Sequence, residues 1–424
     1  METKKKGFPV AFWVCSCSEI FERLAYYLGR SLILIFVTAS VATGGLGLSD
    51  TVAANMQSNL TAFSYLLPLF GAVIVDKYIG ARYTTPVGMF IAAAGYFTGG
   101  IAKSATGVYV MIFLVSLGLA LFKNGAIIGR VITDKSQMDP AFSMRYTLVN
   151  VGAFIGTFLV GILYKDVFAK DGVLGFAPCF KMAALMMVLG GLWYIFVCWR
   201  FLGDLGKLPF KKTLTEEEKA AEAKKKEEAG TKQPLTTIEK KRIGAIFVAS
   251  LFSIVFWIFW YLGYMPVYFY WAENMDWVVA GYQVPSTWFD AANSLFCVIL
   301  GPVTAALWKK LAARPQGDMS LFRKTGLGIA IIGVGYLFYA AIDIMRGGEK
   351  ASVLWLIVFA FLLTMGEMFF SPLGHSFISK YSPSRYLAVM MSVWGFATFI
   401  AAKSYGPVYG LLFGVKIEYK VACI

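Results

Sequence analysis

Two carboxylates and two guanidiniums lie in the first long apolar stretch of the chain, in the run Ser18-Glu-Ile-Phe-Glu-Arg-Leu-Ala-Tyr-Tyr-Leu-Gly-Arg30. At about 100° per residue, Glu19, Glu22, Arg23, Tyr26 and Arg30 occupy one helix face roughly 100° wide. A charge at the bilayer centre costs on the order of 2.5–3.5 kcal/mol on insertion scales. Such a stripe persists where it faces a protein interior or a watery cavity and its charges are paired. Its chemistry is then the binding and passage of charge, so it marks a substrate, ion or proton pathway. An amphipathic helix on a membrane surface, or an ion-pair staple without a transport role, would produce the same pattern.

Two more charges sit deep in apolar sequence. Lys123, in Gly118-Leu-Ala-Leu-Phe-Lys-Asn-Gly, needs a carboxylate, which Glu19 and Glu22 can supply; snorkelling to the interface is the alternative. Glu367, in Thr364-Met-Gly-Glu-Met-Phe-Phe-Ser371-Pro372, is either a functional acid or a carboxyl kept neutral by desolvation. The six cysteines (15, 17, 179, 198, 297 and 423) lack zinc-ligand spacing and read as buried apolar thiols. No nucleophile–base pair or metal-ligand cluster stands out. An enzyme is therefore not expected, nor a metal or organic cofactor.

The elements that must carry these charges follow from composition. The chain has 424 residues, 58% hydrophobic and only 15% charged, against roughly 25% charged in a soluble domain. This is an all-α polytopic membrane protein. Apolar stretches of about 20 residues fall at 8–37, 52–75, 83–102, 107–131, 143–165, 179–202, 243–271, 286–312, 325–344, 352–379 and 385–413. Eleven spans result, six before and five after a charge-rich segment whose core is 214–229. The domain reading is an N-terminal bundle over 1–203, a charged linker over 204–242 and a C-terminal bundle over 243–424. The tail after Gly410 is too short and polar for a twelfth span, so a truncated second bundle is expected.

The formal net charge is +14, but its placement does not suggest nucleic acid. About 27 of the 39 Lys and Arg residues cluster in alternate polar segments, at 4–6, 77–82, 130–145, 200–242, 309–324 and 380–385. The positive-inside rule then puts the N-terminus and the linker in the cytoplasm, in a multi-pass protein of the plasma or inner membrane. Between spans two and three, Gly71, Asp76, Lys77, Gly80 and Arg82 form a tight, charged loop. Its glycines permit close helix approach, and its acid and bases can pair across helix ends. The loop resembles the signature of the major facilitator superfamily, which implies a conformational role; a plain positive-inside loop would look the same. Lys403 is a further intramembrane charge for which the sequence suggests no partner. The sole histidine, His375, lies beside Pro372 and reads as structural.

At this point the residues match a family. The motif Glu19-x-x-Glu22-Arg23-Leu-x-Tyr26-Tyr27 resembles the Glu-x-x-Glu-Arg-Phe-x-Tyr-Tyr signature of the proton-dependent oligopeptide transporters, with Leu24 in place of Phe. The resemblance continues through Arg30, Tyr65, the 68–82 loop, Lys123, Asn150, Asn293, Glu367 with Ser371 and Pro372, and Trp394. It implies a major facilitator fold of two six-helix bundles, and proton-coupled symport of di- and tripeptides by alternating access, with protons as the coupling ion. Carried over, Glu19, Glu22, Arg23 and Lys123 would form a proton-coupled ion-pair cluster. Arg30 and Lys123 would hold the peptide carboxylate and Glu367 its amine, helped by Asn150, Asn293 and Ser371. Tyr26, Tyr27 and Tyr65 would meet the peptide backbone and side chains, and Trp394 would wall the pocket. The implied protein is monomeric in the lipid bilayer. Two departures stand out: the seventh span lacks the acid or amide usual there, and Lys123-Asn-Gly lacks the family's proline. A carrier of another solute on the same fold, such as nitrate or an amino acid, and a non-transporting membrane paralogue are the competing readings.

Overall fold

The computed structural model describes residues 7–134, 137–213, 216, 219–220, 223, 235–315, 319–383, 386–413 and 418–423. Among them every stretch read as a span is mostly helical. The helices are α1 (Val10–Thr38), α2 (Asp50–Lys77), α3 (Ala81–Ile101), α4 (Ala105–Leu121), α5 (Asn124–Val131), α6 (Met138–Ile162) and α7 (Phe176–Trp193). Then come α8 (Thr237–Leu262), α9 (Trp288–Ala312), α10 (Leu321–Met345), α11 (Trp355–Tyr381), α12 (Leu387–Phe413) and the short α13 (Tyr419–Cys423). Among the described residues, seven helical segments are long and apolar enough to cross a membrane by length and composition alone. The α1 helix is as long, but its charged stripe sets it apart from them.

Local chemistry sets several boundaries. The α8 helix starts inside the segment read as linker, because Thr236 and Glu239 form a reciprocal capping box that satisfies two end groups. Most of the linker core, 214–229, lies outside the described residues. The fourth span is broken: Phe122 and Lys123 leave the helix between α4 and α5 without any proline. There the Lys123 N–H donates to Thr85 Oγ at 3.4 Å, and the freed backbone is sheltered by protein, as a lipid environment demands.

The chain divides into two compact units, and the division differs from the sequence reading. One unit holds 1–47 and 67–213, the other 48–66 and 214–424. The first half of α2 thus belongs with the C-terminal helices. The reason is polar: Ser58 donates to the Ala402 carbonyl at 2.7 Å, Tyr405 donates to Gln57 at 3.2 Å, and Lys403 donates to Asn59. That last bond is the partner the sequence did not suggest for Lys403.

Within the first unit, α3 packs on α4 and α7, and α1 packs on α6 and α7. The α1–α6 contact runs through Gly152 and Gly156, where a Cβ would overlap the Ile20 and Leu24 carbonyls. Gly156→Val is therefore expected to be overpacked by about 1–3 kcal/mol. Thermal unfolding in detergent checks it against Gly333→Val, where an added Cβ meets nothing within 4 Å.

Within the second unit, α8 packs on α12, and α11 packs on α9 and α10. Stacked rings fill the seams, with Phe256 on Phe370 at 3.9 Å and Tyr339 on Phe359 at 3.6 Å. After α8, strand β1 (Met275–Asp276) pairs in parallel with Ala351–Ser352, and a hairpin joins Val278–Val279 to Tyr282–Gln283. Gly281 takes the positive φ of 82° that this turn requires.

Candidate functional site

In the first unit, α1 places Glu19 and Glu22 fully inside, each about 1% exposed. Burial on that scale demands partners, and each acid has an arginine. Arg23 pairs with Glu22 and lies over the Tyr26 ring at 4.9 Å. Arg145, from α6, donates its Nε to Glu19 Oε1 at 2.8 Å. Asn124, the first residue of α5, adds an Nδ2 bond to Glu19 at 3.2 Å and another to the Cys15 carbonyl at 2.8 Å. Arg30 and Tyr26 are buried further along α1, and Tyr27 meets Tyr26 edge-on at 5.3 Å.

Lys123 is placed differently from the sequence reading. Its Nζ donates to the Pro68 carbonyl of α2 at 2.7 Å. Among the described residues no carboxylate stands within ion-pair distance of it. Asp76 is the acid whose charge bears on it. The cause is the α4–α5 break: Asn124 faces α1, while the unwound residue before it sends its side chain toward α2. An ammonium has three donors, so the site keeps a cation able to take an anion. Asn150 bonds the Tyr146 carbonyl on its own helix at 3.0 Å.

The 71–82 loop holds helix ends rather than ligand. Gly71 lets α2 approach Ala120, and Gly80 caps α3 where a Cβ would strike the Gly206 and Lys207 carbonyls. The expected acid–base pairing is not where Arg82 goes. Its guanidinium donates to the Gly203 carbonyl, and to that of Trp199 at 3.1 Å. These carbonyls close the Trp199–Leu202 turn, and the last carbonyls of a helix lack intrahelical partners and attract a cation. Trp199 returns an indole bond to the Arg82 carbonyl at 3.1 Å. On the same segment, the bond from Lys207 holds the exposed Asp204 carboxyl below its ordinary range.

In the second unit, Glu367 on α11 is buried and its partners carry no full charge. Asn293 of α9 donates to its Oε2 at 3.2 Å and to Thr364 at 2.8 Å, and Cys297 lies 3.8 Å away. Trp394 stacks on Phe370. Tyr65 belongs to this unit, half-exposed, and its hydroxyl accepts from that of Tyr261 at 3.4 Å. The Ser371 and His375 side chains lie outside the described set. Each unit therefore offers one pole, a cation satisfied by a carbonyl and a carboxylate satisfied by neutral donors.

Residues 202–412 match the POT family. The chain belongs to the POT family. It is also 24% identical over 438 residues to an uncharacterized transporter of Bacillus subtilis, covering 94% of this chain and 87% of that one. A di-/tripeptide transporter of Lactococcus lactis subsp. cremoris is 24% identical over 440 residues, covering 92% and 86%. The fold matches a crystal structure of a POT family transporter in complex with 5-aminolevulinic acid, with a TM-score of 0.84, 24% identity and coverage of 99% and 94%. That likeness establishes a major facilitator-type helical membrane fold. Within the POT family chain, Arg145, Asn124 and Asn59 are the polar residues that sequence reasoning passed over. Arg145 fell in a segment whose basic residues were read as topology signals. Asn124 was legible from its place next to Lys123.

Proposed function

We propose that this chain carries di- and tripeptides into the cell by proton-coupled symport and alternating access. The observation that carries the reading is the pair of poles: a half-buried Lys123 bound to a carbonyl in one unit, and a buried Glu367 bound by neutral donors in the other. A zwitterion has one end for each. Lys123 and Arg30 take the carboxylate, and Glu367 takes the amine, with Asn293 orienting it. Tyr26, Tyr27, Tyr65, Asn150, Ser371 and Trp394 supply hydroxyl, amide and ring contacts. Recognition of the peptide ends leaves the intervening side chains loosely specified.

The proton enters through the acids of α1. A proton on Glu22 removes the negative charge that Arg23 pairs with. The released guanidinium then adds to the pull on the peptide carboxylate, so proton and peptide binding assist each other reciprocally. A membrane potential adds roughly 2.3 kcal/mol per charge per 100 mV. The protein works as a monomer in the cell membrane, with its N-terminus and linker cytoplasmic, and needs no cofactor besides the proton. The name of the Lactococcus relative supports peptide cargo. The 5-aminolevulinic acid of the crystallised family member supports any cargo with an amine at one end and a carboxylate at the other.

Proteoliposomes loaded at neutral pH and diluted into acidic buffer test this directly. Labelled dialanine should accumulate severalfold over vesicles without a gradient, and a proton ionophore should remove the difference. Folded protein that gave gradient-independent uptake would defeat the coupling, and no uptake would defeat the cargo.

A further inference from the structure

We propose that Arg145 is a positioning residue that reserves Lys123 for the anionic end of the cargo. This deepens the peptide-carrier reading and rests on it for the identity of that anion. Three observations converge. Glu19 is fully buried and accepts from Asn124 at the α5 start, so a cation must neutralise it. The cation present is Arg145, held by a 2.8 Å bond from the facing helix. Lys123 adjoins Asn124, which already touches Glu19, yet its ammonium is turned to the Pro68 carbonyl.

One Cα step of about 3.8 Å separates Lys123 from a residue in contact with Glu19. Without Arg145, Lys123 is the flexible cation best placed to replace it. The Glu19 carboxylate would then compete with cargo for the same ammonium. A guanidinium suits the standing role: it stays charged at any physiological pH and binds a carboxylate in fixed geometry, whereas lysine is a mobile point charge. The arrangement separates two tasks. Arg145 neutralises the protein's own acid, and Lys123 meets an acid from outside. Gly125 makes room for it, since a Cβ there would lie 2.9 Å from the Arg145 guanidinium.

Two measurements test the assignment. The first is equilibrium binding of dialanine and dialanine amide to purified protein. Arg145→Gln should weaken dialanine by about tenfold and leave the amide, which lacks the carboxylate, almost unaffected. Arg145→Lys should recover most of the dialanine affinity. The Glu19→Gln/Arg145→Gln double variant should do so as well, because it removes the competitor. A purely structural role would weaken both ligands, with no rescue by the second change. The second measurement needs no cargo: the rate at which a small amine-acylating reagent labels Lys123 at one fixed pH. Arg145→Gln should slow labelling severalfold and the double variant should restore it, while Glu19→Gln alone should leave it unchanged. Faster labelling in Glu19→Gln would show Lys123 already engaged by Glu19 and would overturn the proposal. Should wild-type protein bind no dialanine, the cargo reading falls while the labelling still decides the role of Arg145.

Discussion

Glu367→Gln is expected to reduce dialanine uptake by about 100-fold, the effect of removing one member of a buried charge pair worth roughly 2–5 kcal/mol. Glutamine keeps the volume of Glu367 and an acceptor for Asn293, which donates to Oε2 at 3.2 Å. The loss therefore reads out charge rather than packing. N-acetyl-dialanine provides the control, since it lacks the amine that Glu367 would meet. Its uptake should be weak in the wild type and fall no further in the variant. Equal losses for both compounds would remove Glu367 from amine recognition and return it to the packing role that its buried position also permits.

The complementary change is Lys123→Gln. It leaves a donor for the Pro68 carbonyl, now accepting from Lys123 Nζ at 2.7 Å, but removes the positive pole. Dialanine affinity should drop by on the order of 30-fold or more, with dialanine amide changed by less than about threefold. Arg30, buried on α1, stays in place and limits the loss. A uniform loss for both ligands would mean that Lys123 supports the α4–α5 break and not the cargo. Measuring the two ligands on Glu367→Gln and Lys123→Gln side by side gives a matrix in which each variant should be blind to the modification at the far end.

Much of this site was legible because lipid makes buried charge conspicuous. Glu19, Glu22, Lys123 and Glu367 stood out against apolar neighbours, although Lys123 turns to the Pro68 carbonyl and not to the acids of α1. The helices were legible for the same reason, since span length is set by bilayer thickness. What escaped the sequence was the assignment of partners. Arg145 sits near a helix end, where a basic residue satisfies the positive-inside pattern and calls for no second explanation. The α4–α5 break has no proline to announce it, so the turn that sends Lys123 and Asn124 to different neighbours could not be seen. Asn59 is an uncharged residue among many, and only its contact shows that it neutralises nothing yet satisfies Lys403. The capping box at Thr236 and Glu239 was visible as a spacing, but it lay within a charge-rich stretch whose overall composition dominated the reading.

The division of α2 has a consequence for how the protein is made. Ser58 is synthesised early, yet the carbonyl it bonds belongs to Ala402, 344 residues later. At roughly 5–20 residues per second, that partner leaves the ribosome roughly 17–70 s afterwards. Through that interval Gln57, Ser58, Asn59 and Thr61 must wait in the nascent chain with their polar groups unclaimed by α12. The early part of the polypeptide therefore cannot pair these side chains by itself, and α12 supplies their partners once it is made.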